Sequence, residues 1–474
     1  MYRSERGIPA CGTWVPLLPP PTRGRVGVSF GGSTIEPVAG ETEEVLVIGG
    51  GAIGAAVALE LARRGARPVL VERGSALAAG CSAGNAGLIC PSHSAPLATP
   101  AALRQGLRWM LTPDSPFRLH PRPALVPWLL RFAAASTKRR AEASTRLISE
   151  LSQASLELHS GIADEGLDTG FERRGVLNVY ESEAGFAAGR KEAEANSSTG
   201  MRPRVLVEGD VLDVEPAVGP EVAGAVLYPD EAHCDPLRFV QAVGRAAAHA
   251  GAEIRTGVEV LRVRRRDGRI AAVETSAGEL RPGSVVLATG AWTPRLSRDL
   301  GLFVPVEGGK GYHVDVVPAP GDPRIPVFMQ ESRVIATPLE GRLRLAGTLE
   351  LAGLDLGIDA RRTEAIVAAA RRVLPLLGAP RVLERWAGLR PCAPDGLPLI
   401  GRPAELENLI LATGHAMMGL TLAPITGRLV ADLLAGEAPG HDVMPFAPDR
   451  FRPMLRRRSA SRPRRWRAAP PARA

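Results

Sequence analysis

Apolar residues fall along this chain in three distinct patterns. The stretch VLVIGGGAIGAAVALELA, Val45 to Ala62, opens with the unbroken apolar run Val45–Ile48. A parallel strand buried on both faces reads this way. A glycine cluster follows, then apolar residues that predict a helix from about Ala52 to Arg64, with Gly65 as its stop. The stretch is long enough to be mistaken for a membrane span. Its central glycines and Glu60 predict strand, tight turn and buried helix instead. A second strand, RPVLVE, ends at Glu72.

The second pattern is alternation. In EIRTGVEVLRVRRRDGRIAAVETSAGEL, apolar and polar residues alternate between turns at Asp267-Gly268 and Ala277-Gly278, predicting a three-stranded antiparallel meander. A strand Val285–Ala288 follows, ending at Thr289-Gly290. The third pattern is helical spacing in PALVPWLLRFAAASTKRRAEASTRLISELSQASLELHSGIADE, which predicts long scaffolding helices over an antiparallel sheet. Near the end, NLILATGHAMMGLTLAPITGRLVADLLAG gives a strand, a glycine-rich turn and a helix from about Leu422 to Leu434.

Composition sharpens the picture. A chain of 474 residues is long enough for two domains. Its net charge of +8 is unevenly placed: Arg450–Ala474 holds ten arginines and no acid, so the body is mildly acidic. The high isoelectric point therefore describes a tail, expected to be disordered, and no specific nucleic-acid partner. A nucleic-acid-associated flavoprotein using that tail is the rival reading from another class. Residues 1–43 are expected to be a disordered extension whose prolines break the short apolar run a signal peptide would need. Cys11, Cys81, Cys90, Cys234 and Cys392 are scattered, with no C-x-x-C, so neither a metal site nor a disulfide framework is expected. Cytoplasmic localisation is expected, with peripheral contact at the inner face of a membrane left open.

Gly49, Gly51 and Gly54 form G-x-G-x-x-G between strand and helix. The first allows the tight turn, the second lets a pyrophosphate approach the backbone, and the third lets helix and strand pack closely. The helix N-terminus at Ala52 and Ile53 faces the phosphates, and Glu72, with Arg73 after it, stands where an acid accepts ribose hydroxyls. The small residues of GCSAGNAGLICPSHSAP suggest a backbone passing close to a flat ligand.

Together these pieces resemble the D-amino-acid oxidase/dehydrogenase superfamily of FAD-dependent amine oxidoreductases, from about Glu44 to Phe446. The motifs VIGGGAIG, SAGNAGL, VVLATGAW, and GLRPCAPDGLPLIG with GHAMMGLTLAP recur in order, while DEAHCDPLRF and PVEGGKGYHV look like the bacterial D-amino-acid dehydrogenase branch. The resemblance implies that Gly49, Gly51, Gly54 and Glu72 hold the ADP half of FAD and that Val258 offers backbone contacts to adenine. It implies an isoalloxazine lined by Ser82, Asn85, Ala86, Gly87 and the Gly419–Leu420–Thr421 backbone. Ala52, Ile53, Arg73, Thr289, Gly290 and Gly414 complete the cofactor-binding candidates. Arg390 of the G-L-R-P turn would grip a substrate carboxylate, since a planar guanidinium matches a carboxylate bidentately and lysine does not. Tyr312 is a candidate to bond that carboxylate beside Arg390, and His415 a candidate to contact the ring. His93 has a weaker claim to a catalytic role. His233 is read as shaping a turn, and Cys81 and Cys90 as packing residues.

The implied reaction is oxidation of a D-amino acid, or of a cyclic or N-substituted one such as D-hydroxyproline, by hydride transfer from the α-carbon to flavin N5. The alternative within the superfamily is a glycine or sarcosine oxidase. Oxygen and a quinone are both candidate acceptors. The expected fold is α/β with α+β: a Rossmann-type FAD domain (44–95, 236–300 and 385–447) interleaved with an antiparallel-sheet substrate domain (96–235 and 301–384), then a basic tail (448–474).

Overall fold

The computed structural model describes residues 45–109 and 117–452. The extension 1–43 and nearly all of the basic tail lie outside the described residues. The described chain runs slightly past the expected start of the tail. A 3-10 turn covers Pro448–Phe451, and Arg450 donates to Asp395 Oδ2 at 2.8 Å and to the Leu397 carbonyl at 2.8 Å. These contacts tie the start of the expected tail to the body.

Two sheets organise the body. The six-stranded sheet has the order Leu399–Gly401, Leu409–Thr413, Ser284–Leu287, Val45–Ile48, Val69–Glu72, Glu253–Thr256. Its pairings are parallel except the first, which is antiparallel. The expected strand–glycine–helix–strand–acid unit is present, with its helix at Ala52–Arg63. Gly54 is required there: a Cβ would lie 1.8 Å from the Gly49 carbonyl oxygen, so any larger residue would push helix from strand. The meander forms as Val260–Arg266, Arg269–Thr275 and Gly278–Leu280, with Asp267 and Gly268 both at positive φ in its first turn.

The second, nine-stranded sheet is mainly antiparallel. Its edge strand Val382–Cys392 pairs with Glu307–Val316, which pairs in turn with Arg342–Leu351. The expected domain boundary at residue 385 is therefore corrected. Residues 385–392 belong to the substrate sheet, because their backbone bonds are made with Glu307–Val316.

Of the two helices in the long helical stretch, Val126–Ala135 meets this sheet through Trp128, beside Leu351 and Cys392, and the second is corrected. Lys138–Asp164 buries Ile148, Leu151, Leu156 and Ile162 in one apolar cluster with helices Ala52–Arg63, Pro236–His249 and Ala423–Ala435. It thus packs on the dinucleotide domain. The helix covering the substrate sheet is Ala360–Val373, whose Ile366, Ala369, Ala370 and Val373 join the cluster of Tyr312, Val314 and Leu345. Helical spacing showed that an apolar stripe existed but not which sheet it would meet. No described helix is long and apolar enough to cross a membrane.

Candidate functional site

A cavity of about 1340 Å³ runs between the two sheets from the glycine loop to Arg390. It exceeds the roughly 300–1,000 Å³ of ordinary small-ligand sites, as a site holding a dinucleotide and a substrate must. At one end lie Gly49, Gly51, Ala52 and Ile53. Gly49 has φ +110, and a Cβ there would meet the Ala288 oxygen at 2.6 Å. The Ser82 hydroxyl accepts from the Ala52 amide at 3.0 Å, so a residue of the Gly80–Pro96 segment also fixes the helix start. The Glu72 carboxylate, on the cavity wall, accepts from the Gly50 and Gly74 amides, each at 2.7 Å.

Arg73 lines this end with its guanidinium 4.0 Å from the Trp292 ring centroid, a stacking that sequence reading did not anticipate. Val258 lines the cavity as well, but its amide donates to the Glu72 carbonyl at 2.9 Å. Of the expected backbone contacts, only its carbonyl is left for an adenine. Thr289 and Gly290 stand where the Ser284–Leu287 strand opens onto the cavity. Gly54, Gly87 and Gly414 are not on the wall. Gly54 packs helix against strand, Gly87 (φ +88) packs on the Cys234 oxygen, and Gly414 (φ +80) packs on Leu399. The expectation that Gly87 and Gly414 line the cofactor is corrected: each serves a turn that places its neighbours.

Ser82, Asn85, Ala86, Gly419, Leu420 and Thr421 also line the cavity, and the two segments are joined by the Thr421 hydroxyl, which donates to the Leu88 carbonyl at 3.1 Å. Asn85 is held by its own Oδ1, which accepts from the Gly87 amide at 2.8 Å. The helix Ala423–Ala435 begins directly after Thr421, which puts the positive end of its dipole at this wall. Behind the segment stands a device that sequence reading missed. Buried Arg344 donates to the Ala83 and Asn85 carbonyls at 2.7 and 2.8 Å and forks onto Asp315 at 2.8 and 2.9 Å. Burial acts to raise the Asp315 carboxyl, but Arg344 and Arg342 outweigh it and hold the carboxyl below its usual range. Arg344 and Asp315 sit on two different strands, Arg342–Leu351 and Glu307–Val316, so no local signal marked the brace.

At the far end, Arg390 projects from the Val382–Cys392 strand over Gly311, and its Nη1 donates to the Thr348 carbonyl at 2.9 Å. Among the described residues no carboxylate lies within ion-pair distance of it. Burial pulls its pKa down from the ordinary arginine value. Tyr312, the next residue after Gly311, borders the cavity, but its side chain joins the apolar cluster of Val314 and Leu345 on the opposite face of the sheet. Its hydroxyl donates to Glu350 Oε2 at 3.2 Å, beside Lys310 and within the cluster under helix Ala360–Val373. The expected Tyr312 bond to a carboxylate beside Arg390 is corrected by this alternation.

His415 is 3% exposed, and burial pushes its pKa down to about 3. Its Nε2 meets Thr426 Oγ1 at 3.0 Å, while its buried Nδ1 has no protein partner. His93 also borders the cavity, against Phe328 with centroids 4.9 Å apart, and burial lowers it to about 4. His233 pairs with Leu88 in a short two-stranded ladder, in keeping with a structural part. Cys81 lines the cavity and Cys90 is buried; burial raises both thiols.

Backbone amides at a helix start, an acid at the ribose position and small residues along a flat slot form a cradle suited to a flavin dinucleotide. Residues 44–433 match the family model described as FAD dependent oxidoreductase. The chain belongs to that family.

FAD is accordingly its cofactor. Among curated relatives, a D-amino acid dehydrogenase of Paramagnetospirillum magneticum is 36% identical over 423 residues, covering 86% of this chain and 99% of the relative. One of Methylobacterium nodulans is 35% identical, covering 83% and 96%. Among solved structures, glycine oxidase from Geobacillus kaustophilus superposes with a TM-score of 0.70 at 27% identity, covering 86% of this chain and 98% of its own. An L-alpha-glycerophosphate oxidase from Mycoplasma pneumoniae with FAD bound shares the fold, with a TM-score of 0.65 at 21% identity, covering 83% and 95%.

Proposed function

We propose that this flavoprotein oxidises an amino acid of D configuration, or a cyclic or N-substituted amino acid, whose α-carboxylate is bound by Arg390. The observation that carries this is the Arg390 guanidinium on the cavity wall, with no carboxylate partner among the described residues. The D-amino acid dehydrogenase relatives support the substrate class. When bound, FAD supplies the acceptor for the hydride leaving the substrate's α-carbon.

The chain's own residues do the rest. Arg390 fixes one end of the substrate, and such positioning lowers a barrier by roughly 7–11 kcal/mol when reacting atoms are well aligned. Apolar walls at Trp128, Phe132 and Leu349 exclude water and favour the neutral amine over the ammonium. His415, depressed to about 3, is uncharged at neutral pH and adds no cation to compete with Arg390 for the carboxylate. The imino product hydrolyses to a 2-oxo acid unless it is cyclic.

The reduced enzyme passes its electrons to oxygen or to a quinone. Peripheral contact with a membrane is supported by the helix Val126–Ala135. It exposes 50% of Val126 and 67% of Leu130 beside the cavity-lining Trp128 and Phe132, and exposed Lys138, Arg139 and Arg140 follow it.

The test is dye reduction with a panel of D-amino acids, D-hydroxyproline, glycine and sarcosine, on the intact protein and on Arg390→Lys. The D-acids should be preferred, and the lysine variant should lose kcat/KM by about 100-fold, consistent with a lost charge-assisted pair. Equal rates in the two proteins would refute the carboxylate role. Preference for glycine and sarcosine would favour the glycine-oxidase alternative.

A further inference from the structure

Two glycines two residues apart, Gly309 and Gly311, leave room on the Arg390 face of the strand Glu307–Val316. The guanidinium fills the space over Gly311, and Leu349 fills the space over Gly309, where a Cβ would lie 2.7 Å from Leu349 Cδ1. Gly309 stands opposite Arg390 in one neighbouring strand and Leu351 in the other. Alternate residues of a strand share a face and lie about 7 Å apart. A cationic fork and an apolar side chain therefore occupy adjacent slots on one sheet face. Both Arg390 and Leu349 are half-buried and border the cavity, so each offers surface to a ligand.

The surroundings of the Leu349 slot are apolar. The short strand Phe117–Leu119 pairs with Arg342–Leu351 so that Phe117 stands beside Leu349 and Leu119 beside Leu351. Helix Val126–Ala135 packs over them, with Trp128 and Phe132 in one cluster with Phe117, Leu119 and Leu351. Trp128 stacks on Phe132 with centroids 5.1 Å apart, and its Nε1 donates at 3.0 Å to the carbonyl of Cys392, two residues past Arg390. Phe117 and Phe132 are half-buried and border the cavity as Leu349 does. The nearby acid Glu307 is taken up by Arg122 at 2.6 Å. Burying hydrocarbon against such a patch is favourable, whereas burying a charge there without a partner is not.

We infer that Leu349, with Phe117 and Phe132, forms the substrate's side-chain subsite. With its carboxylate on Arg390, the amino acid lays a branched aliphatic or aromatic side chain on Leu349. The enzyme thereby selects large apolar amino acids over D-alanine and over those with charged side chains. This deepens the function proposed above and rests on the carboxylate role of Arg390 given there.

The test is kcat/KM for dye reduction by the FAD-loaded protein with D-leucine, D-phenylalanine, D-alanine, D-glutamate and D-lysine. The parent should favour D-leucine and D-phenylalanine over each of the other three by about tenfold or more, the range for added hydrocarbon in an apolar pocket. Each variant is read as a ratio of two substrates on one preparation, which a loss of folded protein does not change. Leu349→Ala should lower the ratio of D-leucine to D-alanine by about tenfold. Leu349→Phe, which fills the slot, should lower the ratio of D-phenylalanine to D-alanine by a similar factor. Arg390→Lys should instead lower all the substrates together. A parent that prefers D-alanine, D-glutamate or D-lysine overturns the inference, as does a parent-like ratio in either Leu349 variant. If the Leu349 ratios stay parent-like while Arg390→Lys loses activity in common, only the side-chain subsite falls. If no D-amino acid reduces the dye, or Arg390→Lys equals the parent, the function proposed above falls with it.

Discussion

A methyl group on Gly311 would lie 1.9 Å from Nη1 of Arg390. The guanidinium therefore rests directly on the backbone of the neighbouring strand, and position 311 must carry no side chain. Gly311→Ala should displace Arg390 and raise KM for amino acids by about tenfold or more, with little loss of bound FAD, since even small misplacements of a positioning group are costly. Steady-state kinetics beside flavin absorbance would show it. An unchanged KM would mean that the guanidinium works from elsewhere.

Arg344 and Asp315 brace the cavity-lining segment Ser82–Ala86 from behind, through the Ala83 and Asn85 carbonyls. Removing one partner of a buried pair leaves the other uncompensated, at about 3–5 kcal/mol. Arg344→Met is expected to lower the melting temperature and to lose FAD on gel filtration, whereas substitutions at exposed Arg139 should do neither. Full flavin retention in Arg344→Met would show the brace to be dispensable.

Burial pushes His415 to about 3 and His93, His159 and His313 to about 4, below the ordinary 6.5. Depressed folded-state values mean that the unfolded chain binds protons first as pH falls. Stability is thus fully present above about 6.5 and is lost on going down toward 4, each histidine adding up to about 1.4 kcal/mol per pH unit to the slope. Thermal melts from pH 8 to 4.5 should show this decline, and His415→Asn should make it shallower. An identical slope in the variant would mean that His415 titrates normally.

Leu130 is the most exposed large apolar residue of its helix. Leu130→Glu should reduce sedimentation with anionic phospholipid vesicles while leaving turnover with a soluble dye unchanged. Binding equal to that of the parent protein would remove this helix from any membrane contact.

Local sequence determined the dinucleotide half of this protein. Strand, glycines, helix and Glu72 follow one another within 28 residues, Val45 to Glu72, and steric rules at Gly49 and Gly54 leave little choice of conformation. The meander was legible for the same reason, since its two turns are written in the residues that form them. Arg390 could be singled out, but the absence of a carboxylate partner depends on residues distant in sequence, and only the fold shows it. Tyr312 was misplaced because strand alternation assigns faces only once the neighbour facing Arg390 is known to be Gly311. The Arg344–Asp315 brace had no local signal at all. It arises from pairing between the strands Glu307–Val316 and Arg342–Leu351, in which the two residues stand 29 apart in sequence, and such pairing is set by the packing of two sheets, which a linear pattern of polar and apolar residues does not specify.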